Sequence, residues 1–167
     1  MPKPTDKELF EKAIDDILLE VRPIRETLSA TTLEFFERRS VPSELQDFLT
    51  ANSFDRPFQV GHIYYDRTND MARENLEEEN RNCIQEGLLI IGSGLNGDPV
   101  VVDMETFTVG FVFHDELWED TSIKARSIYI DTGLSVGEFY WEAATQKDNF
   151  PKDAYQAEEV YGKTNGR

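Results

Sequence analysis

The sequence predicts an α+β fold: a single domain with N-terminal helices, a central and largely antiparallel sheet built as a meander, and a C-terminal helix. Three observations carry this. Apolar residues recur at helical spacing through most of the first 50 residues. Runs of β formers, separated by Gly- and Asn-bearing turns, fill residues 87–113. Helical spacing then returns after residue 134. The length of 167 residues suits one hydrophobic core better than two. The expected division is a helical extension at 1–22, the domain proper at 23–150, and a short helix with a flexible tail at 151–167.

Each element has a local reason. Thr5 is placed to cap a first helix, with Leu9, Phe10, Ala13, Ile14, Ile17, Leu18 and Val21 along one stripe. Pro23 stops it. A second helix follows, with Ile24, Leu28, Leu33 and Phe36 available for burial. Val41-Pro42 interrupts the pattern, and Ser43 caps a short helix over 44–51. Residues 60–65 read as a strand and 70–84 as a helix with a thin apolar face. The meander is expected at 88–91, 100–103 and 108–113, with a turn at Glu105-Thr106. A short strand is expected at 127–130. Ser135 with Glu138 three residues on marks a helix over 134–144, and 153–160 adds a turn or two. The 162–167 tail is expected to be disordered.

Charge narrows the function classes. The chain has 17 basic and 33 acidic residues, a formal net charge of −16. Phosphates would be repelled, so no nucleic-acid partner is expected. No apolar run reaches the ~20 residues of a membrane helix, and the first residues lack a signal-peptide core. Cys83 is the only cysteine, so no intrachain disulfide or cysteine-based zinc site can form. The protein is expected to be cytoplasmic. The charge is uneven: between Arg81 and Lys124 there is no Lys or Arg, while Glu86, Asp98, Asp103, Glu105, Asp115, Glu116, Glu119 and Asp120 all fall there.

Several motifs have a functional and a plain reading. Gly92-Ser93-Gly94-Leu95-Asn96-Gly97 matches the dinucleotide fingerprint in letters. That fingerprint requires a helix after its last glycine, whereas Asp98-Pro99 and a valine run follow here, so a hairpin loop is expected. His62 and His114 are too few and too far apart for zinc, and His114-Asp115 reads as structural. Cys83 reads as a small buried hydrophobe. Asp66, Asn69 and Asp70 suggest a calcium loop but lack its glycine and terminal glutamate spacing. No metal, cofactor or catalytic set is expected. Trp118, set among acids at 115–120, reads either as an exposed interface anchor or as a partly buried structural residue.

The order of elements resembles the SUKH superfamily of fungal cell-wall assembly regulators and bacterial proteins. Val41-Pro42-Ser43-Glu44-Leu45 through Asn52 is similar to its hydrophobic-Pro step into a short helix, with Ser53 in place of a glycine. The run from Leu89 through the glycine loop and Gly97-Asp98 to Asp103 is similar to its strand, loop and strand. Leu134-Ser135-Val136-Gly137-Glu138-Phe139 resembles its closing helix. The likeness spans roughly 28–145. It implies an α+β fold and a binding role without catalytic residues: an immunity protein against a secreted polymorphic toxin, often a nuclease, or a regulator of wall synthesis and signalling.

The acidic run points the same way independently, since nuclease toxins need basic clefts that carboxylates can occupy. The expected partner surface is Glu105, Asp115, Glu116, Trp118, Glu119 and Asp120. Strand alternation places Asp103 and Glu105 on one side, with 115–120 near the same sheet edge. A monomer or weak dimer is expected, with a basic protein, a toxin domain in kind, as the expected partner. A scaffold role, an enzyme, and a merely solvated acidic surface are the competing readings.

Overall fold

The structure, a computed structural model, describes residues 6–16 and 23–162. The expected helical positions Thr5, Ile17, Leu18 and Val21, and the tail beyond residue 162, lie outside the described residues. The described part forms an α+β domain around a six-stranded antiparallel meander, whose strands neighbour one another in chain order.

Helix α1 (Lys7–Asp16) packs against α7 (Val136–Gln146). Phe10, Ala13 and Ile14 are buried there, and Phe10 meets Phe48 and Tyr140 edge-on. Helix α2 (Ala30–Arg38) begins later than expected, because Ser29 caps it by accepting the Thr32 N–H at 3.1 Å. The preceding segment is extended, with Ile24 bridging Ser53. Ile24 and Leu33 are therefore exposed rather than buried, while Phe36 is buried as expected. Helix α3 (Ser43–Ala51) follows the Val41-Pro42 step. Ser53, where the resemblance had a glycine replaced, is a buried hub that bonds Glu26 and accepts the Thr68 N–H.

The expected strand at 60–65 is instead a tight hairpin of β1 (Phe58–Val60) and β2 (Ile63–Tyr65), with Val60 opposite Ile63. Gly61 has φ +59°, and a Cβ there would lie 2.3 Å from the Ala143 carbonyl oxygen of α7. Turn geometry and close packing both require glycine at this point. The expected helix at 70–84 is two: α4 (Met71–Leu76) and α5 (Arg81–Gln85). Glu77 leaves helical geometry at ψ 141°. Glu74, Glu77, Glu78 and Glu79 would stack like charges on successive turns, and the thin apolar face does not compensate.

Strands β3 (Leu88–Ser93), β4 (Pro99–Asp103) and β5 (Val109–Val112) form the meander centre. The expected strand at 127–130 begins later: residues Ala125–Ile128 form a 3-10 turn, and β6 (Tyr129–Leu134) follows. The Ser135 cap is present, accepting the Glu138 N–H at 3.2 Å. Asp153 caps α8 (Ala154–Tyr161) in the same way.

Every residue of β4 and β5 is buried, so helices cover both sheet faces. Phe111 meets Phe139 of α7, and Phe111 pairs with Val100 across the strands. Alternation thus puts Val100, Val102 and Phe111 on the α7 face. Val101 pairs with Ile90 and lies on the other face, which α4, α5 and α6 (His114–Glu119) cover. Strand β2 reaches only Gly92 and Ser93. Past its end the buried Asn75 carboxamide takes over, pairing with the Ile90 N–H at 2.8 Å and C=O at 3.0 Å. No described helix is long and apolar enough to cross a membrane.

Candidate functional site

The acidic run without a base in sequence meets one in space. Arg126 folds back and grips Asp103 with both guanidinium nitrogens, at 2.8 and 3.0 Å. Its Nε donates to the Glu86 carbonyl at 2.9 Å, and Glu105 lies 3.8 Å from it. Burial tends to raise the Asp103 carboxyl pKa. The Arg126 fork and the Glu105 N–H outweigh that and hold it below the usual carboxylate range. Asp103 and Glu105 do share a side, as strand alternation suggests, but Arg126 occupies that side.

Asp98 is fully buried and ties three elements together. One oxygen accepts the backbone N–H of His114 at 2.9 Å and pairs with His114 Nδ1. The other accepts the Ala154 N–H at 2.8 Å. The glycine loop, the start of α6 and the start of α8 thus share one carboxylate. Strand β4, not a helix, follows Gly97, so the loop is a hairpin as the residues around it predict. Gly94 packs against the backbone of Lys152, where a Cβ would come within 2.4 Å of its carbonyl oxygen.

The 115–120 segment is mostly helix α6, with Leu117 buried and Trp118 42% exposed. The Trp118 ring stands edge-on to His114, one turn back, with centroids 4.7 Å apart. Its indole N–H donates to Asn80 Oδ1 at 3.0 Å. Asn80 in turn donates to the Glu74 carbonyl at 3.1 Å, so one carboxamide joins α4, α5 and α6.

Beside this clamp lies a cavity of about 310 Å³. Asp66, Glu74, Glu77 and Glu79 line it, with Asn80, Ile90 and Pro99 in the wall and Trp118 at its edge. Arg73 is the nearby base, but it is two-thirds exposed and engages Glu74 at 3.2 Å and Asp70 at 3.9 Å. Burial pushes the Asp66 carboxyl up to about 7, helped by Glu74 and Asp70 and opposed by Arg73. Among the described residues no group of three or more His, Cys, Asp or Glu side chains is arranged to hold a metal ion. The carboxylates surround a space rather than converge on a point.

The expected partner residues are therefore divided. Asp115, Glu116, Trp118, Glu119 and Asp120 stay together on and just after α6. Glu105 lies in the turn beyond the far end of β4, a strand of about 13 Å at ~3.3 Å per residue. Asp115 is engaged, accepting the Tyr155 hydroxyl at 2.5 Å and the Glu116 N–H at 3.1 Å. Asp120 accepts from the Ser122 hydroxyl and N–H, which lower its pKa. Glu119 is exposed. Glu74, Glu77, Glu79 and Asn80 join the site although they are not among the expected partner residues, and Asp66 joins it as a cavity wall rather than as part of a calcium loop. The glutamate run was visible in sequence, but its proximity to Asp66 and Trp118 was not.

The other motifs have structural surroundings. His62 sits in the β1–β2 turn, 3.2 Å from Asp148. Cys83 is buried, which pushes its thiol up to about 12. No protein family, curated protein or solved structure matches the chain.

Proposed function

We propose that the protein is a non-catalytic binding protein of the toxin-immunity kind, which neutralises a basic toxin domain through the acidic cavity and its Trp118 edge. The observation that carries the reading is that four carboxylates and an exposed indole line one cavity. A lysine or arginine side chain entering it would relieve repulsion that the chain itself leaves standing, with its stem or charge against the ring. Glu119 and Asp120 extend the same field beside Trp118 and favour fast encounter with a basic surface. Glu105, 3.8 Å from Arg126, lies off this face. The toxin assignment rests on the SUKH resemblance, and a cytoplasmic site of action on the lone buried thiol.

The test is to read the gene immediately upstream and, where it encodes a large secreted protein with a basic C-terminal domain, to co-express that domain with this protein. Wild-type protein is expected to restore growth. The triple change Glu74→Lys, Glu77→Lys and Glu79→Lys, checked for folding by circular dichroism, is expected to abolish rescue. Rescue that survives this reversal overturns the docking face. A set of endogenous partners with no toxin neighbour overturns the immunity reading in favour of a regulator of wall synthesis or signalling.

A further inference from the structure

We propose that Asp66 makes the acidic cavity proton-responsive: it carries a proton that an entering cationic group displaces, so the cavity takes cations more tightly as pH rises through neutrality. This rests on the reading of the cavity as the acceptor for a cationic side chain, and it adds a regulation to that site.

The geometry supplies the reason. Asp66 follows the last residue of β2, and its backbone N–H is held by the Ile91 carbonyl at 3.0 Å. Among the described residues no donor lies within hydrogen-bond reach of its carboxylate. The groups facing it are mostly of its own sign. Asp70 faces it from the 3-10 turn Thr68–Asp70, and Glu74 from α4. Glu77 and Glu79 line the same cavity from the α4–α5 connection. Tyr140 approaches from α7 as a neutral phenol, its own ionisation opposed by burial and by Asp66. Strand β3 contributes Ile90, Gly92 and Ser93, and α6 contributes Trp118, none of them charged.

The two bases nearby are committed elsewhere. Arg73 is two-thirds exposed and engages Glu74 and Asp70. Arg67, the next residue, turns away to Glu26 at 3.2 Å. A negative charge on Asp66 thus meets partial burial and like charges with little compensation. Consistent with this, its carboxyl is pushed up to about 7, burial being the larger cause. The step balances simply. The neutral acid loses its proton to water as the cation arrives, and the carboxylate left behind pairs with the cation.

Full coupling to one group titrating near neutrality gives about a tenfold rise in affinity between pH 6 and pH 8. The test is calorimetric titration of the intact protein with a hexa-arginine peptide, at both pH values, in two buffers of different ionisation enthalpy. Wild type is expected to bind about tenfold tighter at pH 8 and to release a proton at pH 6. Asp66→Asn is expected to bind with neither dependence, and Glu74→Gln to shift the dependence to lower pH. Binding by wild type without proton release, or an unchanged pH dependence in Asp66→Asn, overturns the proposal. A peptide that binds at no pH overturns the cation-acceptor reading instead. In that case the free protein decides, through the NMR shift of the Trp118 indole N–H. A step near pH 7 that vanishes in Asp66→Asn sustains the proton-responsive element, and no step overturns it.

Discussion

Asp103 and Asp66 are both carboxylates at the ends of neighbouring parts of one sheet, and the fold treats them in opposite ways. Asp103 closes β4 against the Arg126 fork and the Glu105 N–H, and its pKa is held down. Asp66 follows β2 into a cavity shared with Glu74, Glu77 and Glu79, and its pKa is pushed up to about 7. Burial acts on both in the same direction. The difference lies in the donors that meet them: three strong ones at Asp103, and none within reach at Asp66. Buried acids that are fully partnered hold the molecule together, whereas acids left facing one another keep a repulsion that the fold does not relieve.

The comparison can be broken most forcefully at Asp98, the other partnered acid. Asp98→Ala strips acceptors from the backbone N–H groups of His114 and Ala154 and removes the partner of the His114 ring. A loss of about 3 kcal/mol is expected in urea unfolding. A loss below about 1 kcal/mol would mean that the three elements meeting there do not depend on it.

Arg126→Met is expected to cost about 2 kcal/mol by leaving Asp103 buried without its fork. It should also change the acid limb of stability. The folded pKa of Asp103 lies below its unfolded value of about 3.9. Its contribution is therefore present above that value and is lost as pH falls through the folded one. In the variant this loss should begin at higher pH, as read from unfolding midpoints between pH 2 and 6.

Asp66→Asn should have the opposite sign. Its folded pKa is raised, so the stability it contributes is full below about pH 4 and is lost as pH rises through about 7. The variant is expected to be more stable than wild type at pH 8, by about 1 kcal/mol, and to show a flatter profile from pH 4 to 7. Destabilisation at pH 8 would count against the cavity as a site of unrelieved charge. The smallest effect is expected from Trp118→Phe at a half-exposed position, which removes the indole donor to Asn80 and part of the ring, at about 0.5 kcal/mol of stability.

What could be read from the residues was what is encoded locally. Ser135 with Glu138 and the glycine loop followed by a valine strand each carry their own signal, and each forms as read. The β1–β2 hairpin was missed because residues 58–65 are β formers almost throughout, and the turn hides in Gly61-His62. The break after Leu76 was missed because charge repulsion, not a proline or glycine, ends α4. The acidic run was real in sequence, but its meaning depended on contacts far along the chain. Arg126 returns to Asp103 from 23 positions away, and Trp118 reaches Asn80 from 38. Asp66 and the glutamates after Glu74 carry no pattern that marks them as sharing a cavity with Trp118.

The most direct measurement is a carboxyl carbon-13 NMR titration of Asp66 and Asp103 side by side in the intact protein. Asp103 is expected to titrate below the usual carboxylate range and Asp66 at about 7. Both carboxyls titrating together near 4 would contradict the division between an acid met by donors and an acid left among like charges.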